Sequence, residues 1–87
     1  MVTNPHTEHP LGRAIVERAG LLAAHSDQPD ALTVTYLTPA HRAAAAQIAA
    51  WMREAGLQVH VDAVGNVVGR YAAADPGAKT LITGSHF

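Results

Sequence analysis

The stretch from Thr38 to Asp62 limits the fold more than any other part of the chain, because its hydrophobic period changes once and abruptly at a glycine. Thr38 suits a helix N-cap, and Pro39 suits the first helical position, where a missing N–H costs nothing. Ala44, Ile48, Trp51, Met52 and Ala55 then recur at i, i+4, i+7, i+8 and i+11, one apolar stripe along a helix. Gly56 supplies the left-handed stop. Directly after it the period drops to two. Leu57, Val59 and Val61 point one way, and Gln58, His60 and Asp62 the other. A helix running straight into a strand with one wet face predicts an α/β arrangement in which the helix covers the dry face. The many alanines, including the run 43–46, keep that helix thin enough for close packing.

The flanking segments extend this reading. Residues 1–10 are polar with two prolines and predict a flexible arm; residues 11–87 form the structured part. From Leu11 the pattern is helical, with Leu11, Ile15, Ala19 and Leu22 on one face, although Gly20 weakens it by about 1 kcal/mol. The cluster at 26–30 is a turn. Residues 31–37 alternate Leu32, Val34 and Tyr36 with threonines, which fits either an extended segment or a surface loop. After Asp62, residues 63–66 turn the chain, with Gly65 free to take positive φ. Residues 67–71 predict a second strand antiparallel to the first, with Asp62 and Arg70 placed to pair across the hairpin. A loop centred on Asp75-Pro76-Gly77 leads to a third strand at residues 80–83, apolar at Leu81 and Ile82. The expected order is two helices, a β-hairpin and a third strand.

Composition removes several functions. Eighty-seven residues make at most one small domain, and 48% apolar content argues against disorder. A net charge of −1, with no basic patch and four aromatic residues, excludes a nucleic-acid surface. No cysteine is present, so disulfides, thiolate nucleophiles and cysteine zinc sites are out. The N-terminus lacks the pattern of a signal peptide, and no window nears the roughly 18 apolar residues of a membrane span. The expected setting is cytoplasmic, away from membranes.

The chemistry-bearing residues are histidines. His86 follows the expected third strand through Gly84 and Ser85, at the carboxyl end where open α/β sheets bind ligands. Imidazole is a common metal ligand, and small neighbours allow close approach. A catalytic zinc needs three protein ligands, however, and the nearest upstream carboxylate is Asp75. From spacing alone His86 is either a metal ligand or a surface histidine near a frayed end. His6 and His9 sit in the polar arm, His25 near a helix end, His41 in the first turn of the second helix and His60 on the wet strand face. His6, His9, His41 and His60 are expected to be solvated, and His25 to suit the helix dipole with a partial positive charge. The only serines, Ser26 and Ser85, stand in no nucleophile elbow, and residues 65–69 lack the lysine of a phosphate loop. Trp51 and Met52 read as core. On the residues alone, a small non-enzymatic α/β interaction module remains open beside an enzyme.

Three ordered motifs add a resemblance. Residues 51–57 (Trp-Met-Arg-Glu-Ala-Gly-Leu), residues 61–71 (Val-Asp-Ala-Val-Gly-Asn-Val-Val-Gly-Arg-Tyr) and residues 81–86 (Leu-Ile-Thr-Gly-Ser-His) are similar to the N-terminal part of the allantoate amidohydrolases. These enzymes group with the N-carbamoyl-L-amino acid hydrolases in the dimetal aminoacylase/aminopeptidase superfamily. Residues 36–42 (Tyr-Leu-Thr-Pro-Ala-His-Arg) resemble the allantoate branch. The likeness runs from about Leu21 to Phe87. It implies that this chain is the first portion of a larger α/β catalytic domain. It also implies two divalent metals, zinc or manganese, with His86 as one metal ligand and Phe87 at a variable position. No catalytic or further metal-binding residue can be carried onto this chain. The implied substrate is a small ureido compound, most readily allantoate, cleaved to ureidoglycine, ammonia and carbon dioxide in purine catabolism. N-carbamoyl-L-amino acids are the alternative. A ureido carbonyl is a poor electrophile because both nitrogens donate into it, and two metals answer that by polarising it and acidifying bound water. The resemblance further implies a homodimer for the complete enzyme and no activity in these residues alone.

Overall fold

The computed structural model describes residues 10–87. It contains helix α1 (Pro10–Ala23), helix α2 (Pro39–Glu54), strand β1 (Gln58–Val61) and strand β2 (Val67–Arg70). The expected arm lies outside the described residues except for Pro10, which opens α1.

Helix α2 is bounded as its sequence dictates. Thr38 is the N-cap, with extended backbone (φ −70°, ψ 164°), and its hydroxyl accepts from the His41 N–H at 3.3 Å. At the other end Gly56 takes φ 91°. The Gly56 N–H reaches the Arg53 carbonyl and the Leu57 N–H the Met52 carbonyl, both at 3.0 Å. That pair of bonds is the Schellman pattern, and it aims the chain from helix into strand. Ala40, Ala44 and Ala49 of α2 are buried, and Ile48, Trp51 and Met52 are half-buried; Ala55 is exposed. The small side chains let α2 lie close against both strands of the hairpin.

β1 and β2 pair antiparallel, Gln58 with Arg70, Val59 with Gly69, His60 with Val68 and Val61 with Val67. Gly69 allows the close approach: a Cβ there would stand 2.6 Å from Leu57 Cδ2 and 2.8 Å from Met52 Sδ. The turn is built on Asp62. Its Oδ1 accepts from the Val64 N–H at 3.0 Å and the Asn66 N–H at 2.9 Å, and its Oδ2 accepts from Asn66 Nδ2 at 2.8 Å. Gly65 carries the turn at φ 91°. The expected Asp62–Arg70 pair is therefore corrected: the register puts Arg70 opposite Gln58, at the far end of the hairpin from Asp62. Hydrogen bonding by the Asn66 side chain, then the Asn66 and Val64 N–H groups, holds the Asp62 carboxyl below its usual range.

Two expectations change. Residues 80–83 form no strand, and Leu81 and Ile82 stand 92% and 87% exposed. An apolar run signals a wish for burial, but a strand also needs a partner edge, and none of the described residues provides one here. Helix α1 forms over the expected span yet buries no residue; Leu11 and Ile15 are exposed and Leu22 is half-buried. Its Arg18 guanidinium lies over the Trp51 ring of α2, 5.4 Å from the centroid. No helix among the described residues is long and apolar enough to cross a membrane.

Candidate functional site

The loop before α2 is closed by its own side chains. Ser26 Oγ accepts from the Thr33 N–H at 3.0 Å and donates to the Ala31 carbonyl at 2.5 Å. The Asp27 N–H donates to the Thr33 carbonyl and Asp27 Oδ2 accepts from the Thr35 N–H, both at 2.7 Å. The 31–37 stretch is thus a loop rather than a strand. Hydrogen bonding with the Thr38 hydroxyl first, then the Thr35 N–H, keeps the Asp27 carboxyl below its usual range. The Thr38 hydroxyl has one proton, which the Thr35 carbonyl at 2.7 Å and the Asp27 carboxylate can both accept.

This loop delivers Tyr36 and Leu37 to the N-terminus of α2, where His41 sits. His41 is 9% exposed and is the one buried polar side chain among the described residues. The expectation of a solvated His41 is thus overturned. Its Nδ1 accepts from the Leu37 N–H at 3.2 Å, which assigns the neutral ring's proton to Nε2. The Tyr36 ring meets it edge-on, with centroids 5.4 Å apart and planes at 66°. The Phe87 ring stacks on it at 5.0 Å and 4°. The Tyr36 hydroxyl donates to the Val64 carbonyl and so ties the cluster to the hairpin turn. Leu37 adopts φ 64°, a left-handed conformation costly for a branched side chain, at the point where its N–H turns toward the imidazole.

A sequence signal for this burial existed. His41 is three residues after the N-cap, where a capping box places Glu or Gln to reach back to a backbone N–H. Here the imidazole does so, one residue further upstream. Beside it a groove of about 390 Å³ runs between α2 and the hairpin, bordered by Leu37, Arg42, Ala49, Arg53, Val61 and Gly65.

His86 is exposed, next to the Phe87 that stacks on His41. His60 is exposed on the wet strand face, and His25 is half-buried past the end of α1. His6 and His9 lie outside the described residues. Among the described residues no three His, Asp or Glu side chains gather to hold a metal. One exposed imidazole is too few donors for a catalytic site, so the described residues do not by themselves fit a two-metal centre.

No family model and no solved structure matches the chain. Curated proteins do. Allantoate deiminase 1 of Glycine max is 42% identical over 71 residues, 82% of this chain and 15% of that protein. Allantoate deiminase of Arabidopsis thaliana is 35% identical over 85 residues, 92% of this chain and 16% of that protein. N-carbamoyl-L-amino-acid amidohydrolase of Paenarthrobacter aurescens is 40% identical over 62 residues, 71% of this chain and 15% of that protein. Over most of its length, then, this small α/β unit is similar at 35–42% identity to curated proteins named allantoate deiminase and N-carbamoyl-L-amino-acid amidohydrolase. It spans about 15% of the length of the first relatives it matches.

Proposed function

We propose that these residues are part of the catalytic domain of a metal-dependent amidohydrolase that opens a ureido C–N bond, with allantoate as substrate. The observation that carries the reading is the 42% identity with a soybean allantoate deiminase over 82% of the chain. The allantoate-like segment at residues 36–42 favours allantoate over an N-carbamoyl-L-amino acid, the second reading, which the bacterial relatives support. His86 supplies one ligand to one of two divalent ions, zinc or manganese, and donors from outside these residues complete both sites. The complete enzyme is a cytoplasmic homodimer, and the 87 residues alone are inactive.

Ammonia release from allantoate and from N-carbamoyl-L-amino acids, with added manganese or zinc, tests this. The 87-residue chain is compared with a chimaera that places it in the matching segment of a relative. The chimaera is expected to be active and the short chain silent. Activity in the short chain overturns the claim that its donors are incomplete. A folded chimaera inactive on every ureido substrate overturns the functional assignment.

A further inference from the structure

We infer that the bond from the Leu37 N–H to His41 Nδ1 is a pH-sensitive latch: the neutral imidazole holds the turn before α2 closed, and protonating it releases the turn. The turn spans residues 35–38. The Thr38 N–H donates to the Thr35 carbonyl at 3.2 Å, and Leu37 stands third in the turn with φ 64°. Positive φ at the third position and not at Tyr36 is type II geometry, which ordinarily takes glycine or asparagine there. A leucine in that place is strained and persists only where its surroundings over-determine it. His41 supplies that support, accepting the Leu37 N–H at 3.2 Å from four residues along the chain. Both partners belong to one short stretch. His41 is already only 9% exposed, and further chain can only cover it more.

The bond needs a lone pair on Nδ1. A neutral ring with its proton on Nε2 has one; an imidazolium carries N–H at both nitrogens and has none. A proton taken from water onto Nδ1 turns the acceptor into a donor that faces the Leu37 N–H. The bond is lost, and the left-handed leucine loses its support. The same turn carries Tyr36, whose hydroxyl donates to the Val64 carbonyl. Opening it therefore loosens the wall of the groove that Leu37, His41 and Gly65 share.

The charges around the ring are of both signs. Asp27, from the preceding loop, acts on His41 electrostatically and attracts a proton-bearing ring. Arg42 and Arg53 of α2 border the same groove and, with the positive end of the helix, repel one. The hairpin presents Val61 and Gly65 to the groove, and Phe87 stacks on the ring; none of these is ionisable. Asp62, in the hairpin turn, accepts from Val64 and Asn66.

Selective ¹⁵N labelling of histidine, leucine and threonine tests the latch, in the 87-residue chain and in the chimaera alike. At pH 8 the His41 ring should show a bare Nδ1 and a protonated Nε2. Between about pH 8 and pH 5, where imidazoles titrate, the Leu37 amide resonance should move with the His41 ring. Its exchange protection should fall roughly fivefold. His41→Asn puts a carbonyl oxygen near the place of Nδ1 and does not titrate, so Leu37 protection should persist and lose its pH dependence. Leu37→Gly removes the strain, so the Thr38 amide should stay protected at pH 5, where the unsubstituted chain loses that protection. This second variant carries the test if His41→Asn fails to fold. A proton on Nδ1 at pH 8, or a Leu37 amide indifferent to the His41 titration, overturns the inference. So does an unchanged pH dependence of the Leu37 amide in His41→Asn or of the Thr38 amide in Leu37→Gly.

Discussion

Replacing Gly69 by alanine tests the contact on which the α2–hairpin packing depends. The new Cβ would lie 2.6 Å from Leu57 Cδ2 and 2.8 Å from Met52 Sδ, against about 3.5–4.0 Å for an ordinary carbon contact. Each group must withdraw by roughly 1 Å. Both belong to flexible side chains, so the cost falls at the lower end of the 1–3 kcal/mol range for overpacking, about 1.5 kcal/mol. Alanine also restricts the unfolded chain, which offsets about 0.4–1 kcal/mol. The expected net loss is about 1 kcal/mol, or roughly 4–8 °C in Tm for a domain of this size. Urea melts followed by circular dichroism and by the half-buried Trp51 would measure it. Met52→Ala removes one of the two obstructing groups, so the double variant should be more stable than the summed single losses, by at least about 0.5 kcal/mol. A neutral or stabilising Gly69→Ala, together with strict additivity in the double variant, would refute the close approach of Gly69 to the Schellman corner.

Two further outcomes follow from the caps. Thr38→Ala deletes the acceptor for the His41 N–H and should cost about 1 kcal/mol in urea unfolding, with Thr38→Ser recovering most of it. Asp62 is held below its usual 3.8 by Asn66 and Val64 hydrogen bonds, so its folded value is the lower one. A lowered carboxylate stabilises the fold above its unfolded value and loses that contribution as pH falls through its folded value. The hairpin should therefore weaken only below about pH 4. A ¹³C titration placing Asp62 at or above 3.8 would contradict the turn geometry, and Asp62→Asn should flatten the acid limb.

What the sequence disclosed and what it hid divide along a physical line. The ends of α2 were legible because caps are local: Thr38, Pro39 and Gly56 each act within a turn of their own position. The hairpin register was half legible. Gly65 announced the turn, but the pattern offered Asp62 only Arg70 as a partner, and the backbone donors two and four residues on outcompete an arginine at the far end of the ladder. Residues 80–83 show the limit of pattern reading. Leu81 and Ile82 state what the segment needs, and only a neighbouring edge decides whether it becomes a strand.

His41 shows the reverse case. A histidine in the first turn of a helix reads as solvated because its own neighbours in sequence, Ala40 and Arg42, give it no cover. Its cover comes from Tyr36, one turn upstream through a left-handed Leu37, and from Phe87, forty-six positions downstream (87 − 41). The capping-box spacing from Thr38 was the single local clue, and it marks an acceptor for a backbone N–H rather than a partner for an aromatic ring. The stack is non-local, and it links the segment that resembles the allantoate branch to the Gly-Ser-His motif. Neither segment carries a local pattern that announces this contact, which is why His41 reads as solvated until Tyr36 and Phe87 are seen beside it.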